Sequence, residues 1–185
     1  FKQILHETAL LQRRLEAGNG SGALHTARRV AKILKTIVGQ LDVLETMTPK
    51  QFASFRPELG TASGFQSNQF RVIEATLGRR DFGGAIDDPQ LRDAVNRPSV
   101  FDSLLGYLGG ADLVQVYADE GEAAEVCEAL VDIDEGIQEW RYRHVMMVQR
   151  IIGARKGTGG SAGAEYLRST LFRPAFPKLW EVRGA

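Results

Sequence analysis

The sequence lacks most of the features that mark specialised classes of protein. It has a single cysteine, Cys127, among 185 residues, and Lys plus Arg equal Asp plus Glu at 23 each. A lone thiol cannot form an internal disulfide and is typical of a reducing compartment, so we expect a cytoplasmic protein. Zero net charge excludes a general electrostatic attraction to nucleic acid or anionic lipid. No apolar run reaches the roughly 20 residues that cross a bilayer, so neither nucleic acid nor a membrane is an expected partner.

Strand patterns and repeats are also lacking, whereas apolar residues recur at helical spacing along most of the chain. The spacing predicts amphipathic helices over 2–17, 23–46, 69–77 and 113–152, the last weakened near Gly121 and Gly136. It predicts short helices near 49–56, 91–95, 99–108, 164–171 and 176–182, and loops at 18–22 and 60–64. We therefore expect an all-α helical bundle that forms one domain over residues 1–185.

His144 differs from the other histidines in its surroundings. On a helix its neighbours one turn away include Trp140, Met147 and Val148, so the imidazole faces apolar side chains. It is either a hydrogen-bonded core histidine or the axial ligand of a flat apolar cofactor, since haem iron is commonly held by one neutral imidazole. His6 and His25 have polar neighbours, so we expect both to be solvated.

Other metal sites find little support. One cysteine and three scattered histidines cannot form a closed zinc site. The acidic residues between positions 119 and 135 lack the paired Glu-x-x-His motifs of a di-iron site. We expect that acidic run to be a solvated helix face.

A glycine-rich segment at 157–163 and a short aromatic helix provide candidate binding groups. The glycines match neither a phosphate loop nor a dinucleotide fingerprint, so the segment is either a flexible connector or a loop whose amides and Thr158 hydroxyl receive an anion. Arg56 follows Phe52 and Phe55. It is either an isolated surface arginine or a fork that binds a carboxylate against an aromatic wall.

Several uncommon strings occur together in a fixed order. They are FKQILHE at 1–7, VLETMTP at 43–49, FR at 55–56, ASGFQS at 62–67, QFR at 69–71, IE at 73–74, WRYRH at 140–144, RIIG at 150–153, the glycines at 157–163, FP at 176–177 and LW at 179–180. In order and spacing these strings resemble the tryptophan 2,3-dioxygenase family across most of the chain.

The resemblance implies a helical, cytoplasmic enzyme, assembled as a homotetramer and dependent on haem b that is ferrous in its active form. The implied substrates are L-tryptophan and O2. Cleavage of the indole C2–C3 bond, with insertion of both oxygen atoms, would give N-formylkynurenine, the first step of the kynurenine pathway.

The resemblance also implies roles for individual residues. His144 corresponds to the axial ligand of the haem iron. Arg56 corresponds to the arginine that pairs with the substrate carboxylate, and Thr158 to the threonine that contacts the substrate's ammonium and carboxylate end. The remaining pocket residues are expected on the substrate side: Phe52, Phe55 and Ser63.

The chain departs from the family pattern in two places. The family's distal histidine lies upstream of the string that begins at Phe1, so no catalytic residue is visible and we expect a missing amino-terminal segment. Near 109–112 the chain is shorter than the family, as after an omission.

Two alternatives stay open. One is a related haem monooxygenase or peroxidase acting on a tryptophan- or tyrosine-derived substrate. The other is a non-catalytic haem-binding or assembly module, against which Arg56 and Thr158 argue.

Overall fold

The computed structural model describes residues 1–60, 68–82, 86–157 and 164–184, and within them it contains helices and no β-strand. The all-α prediction is therefore confirmed. In chain order the α-helices are α1 (Lys2–Glu16), α2 (Gly20–Glu45), α3 (Pro49–Phe55), α4 (Gln69–Leu77), α5 (Pro89–Asn96), α6 (Val100–Tyr107), α7 (Leu113–Ala118), α8 (Glu122–Ile152), α9 (Ala164–Arg168) and α10 (Pro177–Glu181). Short 3₁₀ helices follow α3 at Arg56–Leu59 and α10 at Val182–Gly184. Among the described residues no helix has the length and apolar character needed to cross a bilayer.

The chain divides into two compact units. The first unit contains Phe1–Ile33, Asn68–Glu135 and Pro174–Ala185, and the second contains Leu34–Ser67 and Gly136–Arg173. Helices α2 and α8 contribute residues to both units. The single domain over 1–185 stays a prediction.

The turn between α1 and α2 is shorter than the predicted loop at 18–22. Gly18 has a φ of +68°, the left-handed conformation with which many helices end, and it follows the last turn of α1. The side-chain oxygen of Asn19 then accepts a hydrogen bond from the Gly22 N–H at 2.9 Å. Because this contact caps the next helix, α2 begins at Gly20 and includes glycines that we had expected in a loop.

The predicted weak points of the long carboxy-terminal helix have different outcomes. The helix is interrupted near Gly121, between α7 and α8, but α8 continues through Gly136. A Cβ atom on Gly136 would lie only 3.2 Å from the Cβ and Cδ1 atoms of Leu34 in α2. Glycine at this position therefore allows two helices to approach closely and does not interrupt the helix.

Asp134 is the exception to the predicted solvated face of α8. Its carboxylate is fully buried, and it accepts hydrogen bonds from the backbone N–H of Ala175 at 3.0 Å and of Phe176 at 3.1 Å. The indole N–H of Trp180 donates a third hydrogen bond at 3.0 Å. The prediction is wrong here because Asp134 anchors the end of the chain, whereas the other acidic residues of the run on α8 are exposed: Glu122, Glu125, Glu128, Asp132 and Glu135.

The core of the first unit encloses the single cysteine. Cys127 has no exposed surface, as is also true of Leu130 and Ile133 on the same helix and of Phe176 beside Asp134. Burial raises the pKa of the Cys127 thiol to about 11. The thiol is therefore protonated at neutral pH.

We expect Asp134→Ala to lower the free energy of unfolding by about 3 kcal/mol, because three donors would lose their charged acceptor inside the protein. The measurement is equilibrium urea unfolding. The matched control is Asp132→Ala, an exposed position on the same helix, for which we expect a change within about 0.5 kcal/mol. Equal effects of the two substitutions would contradict this account of the tail.

Candidate functional site

His144 lies on α8 in the second unit, and its imidazole is half-buried. On the same side of the helix, Ile137 and Ile151, two turns before and after His144, are both buried. Burial lowers the pKa of His144 below its ordinary value. The ring is therefore uncharged at neutral pH, and an uncharged imidazole is the form that binds a metal ion.

Trp140 forms a stacked contact with this imidazole. The ring centroids of Trp140 and His144 are 4.9 Å apart and the ring planes differ by 12°. The sequence placed the two residues one helical turn apart, and the structure adds that their rings lie face to face.

Arg141, on the same helical turn as Trp140, is a buried arginine of the second unit. Its guanidinium is buried and donates hydrogen bonds to the carbonyl of Arg173 at 2.7 Å and to the side chain of Gln138 at 3.1 Å. Burial lowers its pKa to about 10, so the group stays protonated at neutral pH. Gln138 also donates to the Arg173 carbonyl, at 2.7 Å, and two side chains of α8 thus bind one carbonyl.

Arg143 connects this turn of α8 to α2. Its guanidinium pairs with Asp42 at 2.5 Å and with Glu45 at 2.9 Å. Sequence analysis missed this contact, because the partners are about a hundred residues apart along the chain and no local pattern marks them. Arg141 and Arg143 thus hold the stretch of α8 that leads directly into His144.

The second group of candidate residues lies on and after α3. Thr48 and Gln51 form a reciprocal capping box that starts this helix. The rings of Phe52 and Phe55 meet edge to face with their centroids 5.3 Å apart. Arg56, half-buried at the start of the following 3₁₀ helix, donates a hydrogen bond to the carbonyl of Lys156 at 2.6 Å.

Two predicted site residues, Ser63 and Thr158, lie outside the described residues. The contact of Arg56 nevertheless reaches a residue only two positions before Thr158 in the sequence.

His6 and His25 are exposed, as predicted. Within the described part of the chain, no three His, Cys, Asp or Glu side chains come together as a metal-binding group.

Comparison with known proteins identifies the family. The sequence profile of the family described as tryptophan 2,3-dioxygenase matches residues 1–96 and 90–185. A tryptophan 2,3-dioxygenase of Anaeromyxobacter sp. strain K is 53% identical over 216 residues, covering 100% of this chain and 82% of that protein. The chain belongs to the tryptophan 2,3-dioxygenase family. The resemblance seen in the short strings is thereby confirmed.

Other members of the family are similar over the same extent. The protein of that name from Herpetosiphon aurantiacus is 45% identical over 215 residues, with coverage of 100% of this chain and 82% of its own length. The one from Pseudomonas fluorescens is 32% identical over 220 residues, covering 100% and 78%. These aligned stretches exceed the 185 residues of this chain, so the relatives carry residues that it lacks. The position of the shortening, near 109–112, stays a prediction.

Burial of His144 makes a prediction about pH. The unfolded chain binds a proton at this residue below about pH 6.5, whereas the folded protein without cofactor binds it only at lower pH. Stability should therefore be lost as the pH falls through this window. We expect the thermal unfolding temperature of the cofactor-free protein to decrease as the pH is lowered from about 7.5 to about 5.5. The decrease should be smaller in His144→Gln.

The matched control for that experiment is His25→Gln, since His25 is exposed on α2. Its pH profile should follow that of the unsubstituted protein. Parallel profiles for His144→Gln and the unsubstituted protein would contradict the burial of an uncharged imidazole.

Proposed function

We propose that this protein is a haem-dependent enzyme that uses O2 to cleave the indole C2–C3 bond of L-tryptophan and releases N-formylkynurenine. Membership of the tryptophan 2,3-dioxygenase family supports the reaction. The observation that carries the site assignment is the half-buried imidazole of His144, which stacks on Trp140 of α8 and whose pKa is lowered by burial.

The residues around His144 fit a haem ligand. Haem iron takes a neutral imidazole as its proximal ligand, and the porphyrin needs an apolar surface beside it. His144 offers such a nitrogen next to Trp140, and the half-buried Met147 and Val148 supply apolar surface one turn further along α8. We therefore assign His144 as the axial ligand of haem b. When bound, the haem supplies the iron that activates O2.

Arg56 and Thr158 are proposed to bind the amino-acid end of the substrate. A guanidinium has five N–H donors, so the bond from Arg56 to the Lys156 carbonyl leaves donors for a carboxylate. A charge-assisted pair of this kind fixes orientation as well as affinity. Thr158, two residues after Lys156, is proposed to contact the ammonium and carboxylate end from the glycine-rich segment, as the family resemblance implies.

The indole of the substrate needs an apolar surface that holds it in one orientation. Phe52 and Phe55 supply two aromatic rings directly before Arg56, on the same short helix. If the substrate's indole lies beside these rings, Arg56 is the adjacent cation in the sequence for the substrate's carboxylate. Ser63 is proposed to lie on the substrate side of the haem, where its hydroxyl can donate or accept a hydrogen bond.

The other functional interpretations are less well supported. A related haem monooxygenase or peroxidase would insert one oxygen atom into a similar substrate, but the relatives from Anaeromyxobacter and Herpetosiphon, at 53% and 45% identity, are named as tryptophan 2,3-dioxygenases. A non-catalytic module would not need the carboxylate-binding role that we propose for Arg56. We further propose that the enzyme works in the cytoplasm as a homotetramer, which the single cysteine and the family resemblance support.

Incubation of the reduced, haem-loaded protein with L-tryptophan and isotopically labelled O2 tests the reaction. We expect N-formylkynurenine with two labelled atoms, measured by mass spectrometry with a control for exchange at the formyl group. His144→Ala should fail to retain stoichiometric haem. One labelled atom in an intact indole would instead establish the monooxygenase alternative, and stoichiometric haem in His144→Ala would contradict the ligand assignment.

Arg56→Ala should raise the KM for L-tryptophan by about 10- to 100-fold with haem content unchanged, since one charge-assisted contact to the substrate is lost. Arg56→Lys keeps the charge but not the fork, so its KM should lie between the two. The control is Arg13→Ala, an exposed arginine on α1. The preference for L-tryptophan over tryptamine should shrink in Arg56→Ala, and an unchanged preference would contradict the role of this residue.

A further inference from the structure

We propose that Trp140 is a positioning residue that fixes the plane of the His144 imidazole. The inference rests on the proposed role of His144 as the axial ligand of the haem iron. It concerns a contact made by this chain's own side chains, the face-to-face stack between the indole and the imidazole on α8.

The geometry of the stack restricts one particular rotation. The bond between Cβ and the ring of a histidine joins an sp³ to an sp² atom, so its torsional preference is broad and neighbouring groups decide the ring plane. Here the two planes differ by only 12° at a centroid separation of 4.9 Å. Rotation of the imidazole about this bond would turn a ring edge into the indole surface.

The usual device for orienting a metal-binding histidine is a hydrogen bond to the ring nitrogen that does not bind the metal. Among the groups of residues 1–60, 68–82, 86–157 and 164–184, none forms a hydrogen bond with the His144 ring. The stack with Trp140 is the aromatic contact that the described part of the chain makes with this ring. The stacked indole can hold the ring plane in the same way.

Trp140 can act in this way because its own helical turn is fixed. The adjacent Arg141 is buried and bound to the Arg173 carbonyl, and Arg143 is paired with Asp42 and Glu45 of α2. A rigid backbone between the two rings keeps the indole at a constant distance from the imidazole. A ligand held in one plane loses less freedom when it binds iron, so it should dissociate more slowly.

The test uses haem-loaded protein with Trp140→Leu and Trp140→Met, which keep apolar bulk without a ring face, and Trp140→Phe, which keeps a ring face. Tyr142→Leu, at an exposed aromatic position on the same helix, is the matched control. Two quantities are measured: the rate of haem transfer to an excess of a haem-scavenging protein, and the iron–histidine stretching band of the ferrous protein by resonance Raman spectroscopy.

We expect haem loss to be about tenfold faster in Trp140→Leu and Trp140→Met, with a shifted or broadened iron–histidine band. Trp140→Phe and Tyr142→Leu should resemble the unsubstituted protein in both measurements. A normal rate and an unchanged band in Trp140→Leu would overturn the proposal. Failure of both the Leu and the Met variants to fold would assign Trp140 to the core and would also overturn it.

His144→Ala separates this inference from the functional proposal. If His144→Ala keeps its haem with an unaltered spectrum, the ligand assignment itself fails. If His144→Ala loses its haem while Trp140→Leu behaves like the unsubstituted protein, only the positioning role of Trp140 fails.

Discussion

The burial of a carboxylate on α8 is the constraint on which the end of the chain depends. Asp134 has no exposed surface, so its charge must be compensated by donors, and three N–H groups of the final segment supply them. The same helix carries Trp140 and His144 further along its length. One helix thus carries both an anchor for the carboxy-terminal segment and the residue on which the proposed chemistry depends.

Local patterns in the sequence predicted most of the helices. Apolar spacing indicated α1, α2, α4 and α8, and Pro49 suited the first turn of the short helix α3. The errors have physical causes. Because Asn19 caps α2, the glycines at its start are helical. Because Leu34 lies close to Gly136, the glycine is a packing position and the helix continues through it. Helix propensity alone does not contain either kind of information, because both depend on a neighbouring residue.

The candidate site could be predicted only where its contacts are local or where a family resemblance exists. Trp140 and His144 are one turn apart, so their proximity follows from helix geometry. The pairs of Arg143 with Asp42 and Glu45, and the burial of Asp134, join distant parts of the chain and have no local signature. Acidic residues on a long helix are usually solvated, which is why Asp134 looked like its exposed neighbours.

The placement of the single cysteine has a consequence for an enzyme that handles oxygen. Cys127 has no exposed surface, and burial raises its pKa to about 11. Oxidants and alkylating reagents attack the thiolate, and this thiol is both protonated and inaccessible in the folded protein. The native chain therefore presents no sulfhydryl group that partially reduced oxygen could convert to a sulfenic acid, and reaction at Cys127 would instead report that the first unit has opened.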